Sequence, residues 1–125
     1  MTPEQYREQT FRISIPPSTD GLFSNIPGKG RVKTKAYAAW LETAGWEIKA
    51  QRPTLTPGRV SVDITVGRKS NLSDLDNRAK AVLDLLVKQR VIEDDNRVSE
   101  LRMRWVDAPD CVVIVRPEVP VRVVR

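Results

Sequence analysis

From residue 60 to residue 66 the chain alternates without interruption: Val60, Val62, Ile64 and Val66 are separated by Ser61, Asp63 and Thr65. Period-two alternation of β-branched aliphatics with polar residues marks a strand that buries one face and shows the other to water. The chain therefore has to build a sheet and cover it. Phe11, Ile13 and Ile15 share one parity, so residues 11–15 read as a second strand, stopped by Pro16-Pro17-Ser18. Leu101, Met103 and Trp105 alternate with Arg102 and Arg104 to give a third. Ala108-Pro109-Asp110 turns into a fourth, the apolar run Cys111-Val112-Val113-Ile114-Val115, and these last two strands are expected to pair as a hairpin.

Two helices supply the cover. Thr34 is placed to cap one that runs to about Gln51, with Tyr37, Trp40, Leu41, Ala44 and Ile48 at helical spacing and Gly45 weakening its middle. Pro53 and Pro57 end it. The other runs from about Asp74 or Leu75 to Lys88, with Leu75, Ala79, Val82, Leu83, Leu86 and Val87 as its apolar face. Residues 18–33, rich in Gly, Ser, Asn and Lys, read as a long loop. The expected fold is one small α/β (α+β) domain: a mixed sheet of about four strands with two main helices, in the order β-α-β-α-β-β. Residues 1–10 are a loose lead-in, 11–117 the domain, and 118–125 a tail. Pro120 and the alternating Val119, Val121 and Val123 make that tail a candidate edge strand and dimer contact.

The chain has 125 residues, room for one modest core, and carries 21 Lys plus Arg against 16 Asp plus Glu, a net charge of +5 that favours a polyanionic partner. The lone Cys111 excludes an internal disulfide, and no segment resembles a signal peptide or a membrane span, so a cytoplasmic location and no membrane partner are expected. The chain has no histidine. Zinc sites built on His and Cys clusters are thereby excluded, and any metal has to be held mainly by oxygen, which points to a hard cation, Mg²⁺ or Mn²⁺.

Acids stand where such a cation is wanted. Asp74 and Asp76 flank Leu75, so in extended geometry Leu75 faces the core while both carboxylates project together. Two such carboxylates repel unless a cation sits between them. Asp95 follows the second helix in the cluster Glu93-Asp94-Asp95-Asn96, and joins the pair if the chain doubles back. Phosphodiester hydrolysis needs an activated water and charge neutralisation on phosphate, both of which a bound divalent ion supplies without a histidine base. Lys80, four residues past Asp76, is a candidate for stabilising charge on phosphate. The plainer alternatives remain open at this level: Asp74 and Asp76 as a helix N-cap, Asp94 and Asp95 as turn residues, and Asp76 with Lys80 as a surface ion pair.

Cations gather in two further places. Lys29, Arg31, Lys33 and Lys35 alternate with Gly30, Val32 and Thr34, and with no acid among them they read as phosphate contacts. Arg68 and Lys69 lie in the loop that leads to Asp74 and are read the same way. Arg102 and Arg104 share one face of a strand and are equally well a solubilising face. Trp40 and Trp105 sit at apolar positions and are expected in the core, while Trp46 has no evident role. Phe23 is either an anchor that packs its loop on the core or a wedge against unstacked bases.

Taken together, Asp74-Leu75-Asp76-Asn77, Lys80, Asp84 and Glu93-Asp94-Asp95-Asn96-Arg97-Val98 resemble the signature of RusA-type Holliday junction resolvases. Ile15-Pro16-Pro17-Ser18 with Asn25, Gly30-Arg31-Val32-Lys33-Thr34 and Ala36-Tyr37-Ala38-Ala39-Trp40 resemble the family's opening strand and loop, basic loop and first helix. The resemblance spans about residues 11–117. It implies a Mg²⁺-dependent homodimeric endonuclease of a kind often carried by prophages. It also implies Asp74, Asp76 and Asp95 as metal-binding carboxylates, Asp94 as a fallback ligand, Lys80 as an active-site lysine, and branched DNA as the partner, with no small-molecule cofactor. Two segments depart from the family pattern: Asn71-Leu72-Ser73 stands where arginines are common, and Thr19-Asp20-Gly21 where asparagine and aromatic residues are usual. The rival reading of the same residues is a non-catalytic basic nucleic-acid-binding module.

Overall fold

The alternating segment lies inside a four-stranded sheet, with a partner on each side. The computed structural model describes residues 7–18, 22–67 and 75–118. In chain order these form β1 (Gln9–Ile13), β2 (Phe23–Ile26), β3 (Gly30–Lys33), α1 (Lys35–Ala50), β4 (Val60–Gly67), α2 (Ala79–Lys88), β5 (Val98–Val106) and β6 (Cys111–Pro117), with 3₁₀ turns at Leu75–Arg78 and Asp95–Arg97. The sheet order is β1-β6-β4-β5, with β4 antiparallel to β6 and parallel to β5.

Register explains the alternation. Val62, Ile64 and Val66 stand opposite Val115, Val113 and Cys111, and Phe11 and Ile13 stand opposite Val113 and Cys111 on the far side of β6. All of these are buried, each worth about 1.5–3 kcal/mol for the larger side chains against leaving them in water. Burial also pushes the Cys111 thiol up to about 12, so it behaves as an inert core residue.

The helices take the places that their spacing indicates. The Thr34 hydroxyl accepts a hydrogen bond from the Tyr37 backbone N–H at 3.2 Å and caps α1. Tyr37, Trp40, Leu41, Ala44 and Ile48 are buried. The Trp40 indole donates to the Ser14 carbonyl at 3.0 Å, which fastens α1 to the segment after β1. α2 buries Ala81, Val82, Leu85 and Leu86, with Leu83 and Val87 half-buried at its flank.

Four expectations need correction. β5 and β6 are not a hairpin, because β4 lies between them. Their connection, residues 107–110, crosses the end of β4 instead, where the Gly67 N–H donates to the Asp110 carbonyl at 2.9 Å. A Cβ on Gly67 would stand 2.3 Å from the Ala108 carbonyl oxygen, so this crossing needs glycine. Residues 18–33 are not all loop, since β2 and β3 pair antiparallel from Phe23↔Lys33 to Ile26↔Gly30. Their turn carries Gly28 and Gly30 at φ of 80° and 75°. β1 is displaced toward the N-terminus and stops at Ile13, where its partners on β6 end at Cys111. Finally, α2 begins at Ala79, because residues 75–78 wind as a 3₁₀ turn. The tail beyond residue 118, including Val119, Val121 and Val123, lies outside the described residues.

Candidate active site

The turn after α2 returns the chain to the flank of α1, and acids and cations meet there. Asp94 precedes the 3₁₀ turn Asp95–Arg97 and accepts a hydrogen bond from the Asp95 backbone N–H at 2.7 Å. One cleft is lined by Lys33 from β3, Tyr37 and Leu41 from α1, Asp84, Val87 and Lys88 from α2, and Asp94 and Asp95. The chain therefore doubles back and brings Asp95 onto the side of α2.

Tyr37 is the interior wall of this cleft. A buried tyrosine has to find a partner for its hydroxyl, and Tyr37 donates to Asp84 Oδ2 at 2.7 Å. Burial first, then the bond to Asp84, push its phenol well above the ordinary range, so it stays a neutral donor. Asp84 also receives Lys80 one turn earlier on α2, at 3.6 Å. The 3₁₀ turn breaks the helical spacing between Asp76 and Lys80, and among the described residues the ion pair that Lys80 makes is with Asp84. The Tyr37 ring stacks on Trp40 at 6.4 Å and takes the edge of Phe23 at 5.8 Å. Arg31 lies 4.1 Å over Phe23, and the Lys33 ammonium 5.9 Å from Tyr37. Phe23 is half-buried against the core, an anchor for its hairpin.

Crowding of acids shows in Asp95. A hydrogen bond shared with Asp94 holds its carboxyl above the usual carboxylate range; slight desolvation and the charges of Asp94 and Asp84 push the same way, and Lys80 opposes them. With no histidine in the chain, the donors gathered here are carboxylate oxygens beside a lysine. That chemistry fits a hard divalent cation.

The other expected residues are placed as follows. Asp76 does not line this cleft but a separate one, with Leu75, Leu101 and Met103. Asp74, Arg68 and Lys69 lie outside the described residues, as do residues 19–21 and 71–73. Among the described residues no three acids stand close enough to hold a metal ion together. Lys33 reaches the cleft; Arg31 lies on the same face of the hairpin, and Lys29 sits in its turn. Lys35 opens α1. Arg78 donates to the Pro16 carbonyl at 2.6 Å and ties the Pro-Pro segment to the 3₁₀ turn that carries Asp76. Sequence reasoning missed Tyr37 and Lys88 as cleft residues. Tyr37 reads as one more apolar position of a helix; the available signal was its hydroxyl, which burial obliges to pair.

The family model for endodeoxyribonuclease RusA matches residues 16–122, nearly the whole chain. A search of curated proteins gives no match. No helix among the described residues is long and apolar enough to cross a membrane.

Proposed function

The chain belongs to the endodeoxyribonuclease RusA family, whose enzymes are Holliday junction resolvases, and from that premise we propose how it cuts. Family nucleases are generally dependent on a divalent metal and act on branched DNA. In our reading the ion is Mg²⁺, with Mn²⁺ as a substitute, held by Asp74, Asp76 and Asp95. When bound, the ion supplies an activated water and neutralises charge on the phosphate. Lys80, steered by its pairing with Asp84, stabilises the charge that develops on the phosphate oxygens. Tyr37 holds Asp84 in place from the core side. Lys29, Arg31, Lys33 and Lys35, with Arg68 and Lys69, hold the backbone of the substrate. The protein acts as a homodimer, so that two sites related by a two-fold axis incise opposed strands of a four-way junction. It serves DNA recombination and repair in the cytoplasm.

The observation that carries this reading is the cleft itself. Asp84, Asp94 and Asp95 line one cleft together with Lys33 and Lys88. Acids at the centre of a cationic surface repel phosphate unless a cation intervenes. A purely DNA-binding surface gains nothing from them.

The test is cleavage of a synthetic four-way junction, with a linear duplex as control, by wild type and Asp95→Asn, in Mg²⁺ and in chelator. Wild type should cut opposed strands of the junction only with the metal. Asp95→Asn should bind the junction and leave it whole. Binding without cutting by wild type in both Mg²⁺ and Mn²⁺ would instead assign the surface to a non-catalytic binding module.

A further inference from the structure

One large aromatic has no part in the cleft chemistry. Trp46 is 66% exposed, on the side of α1 that faces away from the sheet. The Lys49 ammonium lies 4.8 Å over its ring. Around it runs a groove lined by Lys33, Gly45, Trp46, Lys49, Lys88 and, as its one acid, Glu42. Gly45 keeps the floor low, since a Cβ there would meet the Gln89 side chain at 2.6 Å. Lys33, Leu41 and Lys88 line both this groove and the acidic cleft, so the two adjoin. From Ala38 to Lys49 the α1 wall runs about 16 Å at 1.5 Å per residue.

We propose that this groove binds an unstacked DNA strand where it leaves the acidic cleft, with Trp46 as the platform for a base and Lys33, Lys49 and Lys88 on the phosphates. The occupant follows from chemistry. Three cations against one acid suit a polyanion, and an exposed indole with the Lys49 ammonium over one face leaves its other face to a base. A paired, stacked duplex has no base free for that ring, so the groove favours strands opened near a branch. The assignment rests on the reading of the neighbouring cleft as a nuclease site, which supplies the strand that continues into the groove.

The experiment uses the full chain and oligo(dT) of about twenty nucleotides, longer than the one-fold site sizes of roughly 4–16 nucleotides, in chelator, so that binding is read without metal or cleavage. Trp40 is buried and Trp105 half-buried, so quenching on titration reports chiefly on Trp46. Wild type should bind with quenched emission. Trp46→Ala should lose affinity about tenfold or more and most of the quenching, while Trp46→Phe keeps most of the affinity. Lys49→Ala with Lys88→Ala should lower the salt slope of log affinity by roughly 1.4. Melting temperatures of the variants confirm that each is folded. Absence of oligo(dT) binding by wild type, or equal affinities of wild type and Trp46→Ala, overturns the proposal. Metal-dependent junction cutting with no Trp46 effect sinks the groove alone; quenching and tight binding without any cutting sinks the nuclease reading alone.

Discussion

The molecule carries cations on two surfaces, and they are used differently. On the open face of the sheet, most arginines are matched to an acid where they stand. Arg116 pairs with Asp63 across β4 and β6 and with Glu8 at 3.0 Å; Arg102 meets Glu100 at 3.5 Å, and Arg12 meets Asp110 at 3.8 Å. On the hairpin side, none of Lys29, Arg31, Lys33 and Lys35 has an ion pair among the described residues, and Arg31 and Lys33 rest over aromatic rings instead. The same residue types therefore do two jobs. A cation already matched to an acid is held at the sheet, and Arg116 on β6 with Asp63 on β4 fastens two strands together. A cation left over beside a cleft is available to phosphate. The sign of the net charge says nothing about which is which; the partners do.

That contrast can be broken in several ways, the largest effect first. Lys80→Ala should lower the single-turnover rate of junction cleavage by about 10²–10³-fold, the usual loss of a group that stabilises developing charge, while Arg102→Ala on the sheet face leaves the rate within twofold. Equal losses would erase the distinction between the two surfaces. Gly67→Ala should cost about 1–3 kcal/mol of stability by forcing the β5–β6 connection off the end of β4, read by chemical denaturation, without altering the rate per folded molecule. An unchanged midpoint would show that the crossing relaxes freely. Tyr37→Phe should cost about 1 kcal/mol and slow cleavage severalfold by releasing Asp84 and, through it, Lys80. Unchanged cleavage would confine Tyr37 to the core.

The smallest effect concerns acid. The folded Asp95 holds its proton more tightly than an ordinary carboxyl does. The sign is therefore that acidification through the carboxylate range favours the fold at this group, while divalent cation binding is lost at a higher pH than an ordinary carboxylate would give. Asp94→Asn removes the main cause and should move the Asp95 midpoint, followed by carboxyl carbon NMR, back toward the usual range. A midpoint that does not move would mean that Asp94 is not what raises it.

Much of the fold is legible from residues 60–66 outward, because burial on one face writes a period of two into β1 and β4, and β6 stands out as an unbroken apolar run. The β2–β3 hairpin escaped because its strands are short and mostly exposed, leaving no apolar rhythm to read. The place of β5 escaped for a different reason. Its alternating face is only half-buried, and nothing local to residues 98–106 says that β4, rather than β6, is its neighbour; the sign lay in Gly67, which reads as an ordinary loop glycine until another backbone crosses it. At the site, Asp95 and Lys80 were visible because charged residues clustered in sequence. The role of Tyr37 was not, since a buried hydroxyl looks apolar until its partner across forty-seven positions is known.

The central claim, that the hairpin side and not the sheet face meets DNA, is tested most directly by the salt dependence of four-way junction binding in chelator. Arg31→Ala with Lys33→Ala should be compared with Arg12→Ala with Arg102→Ala. Each phosphate that the protein no longer neutralises lowers the slope of log affinity against log salt by about 0.9, so the hairpin pair should lower it by about 2 and the sheet pair by less than about 0.5. A larger drop for the sheet pair, or equal drops for both, would contradict the account.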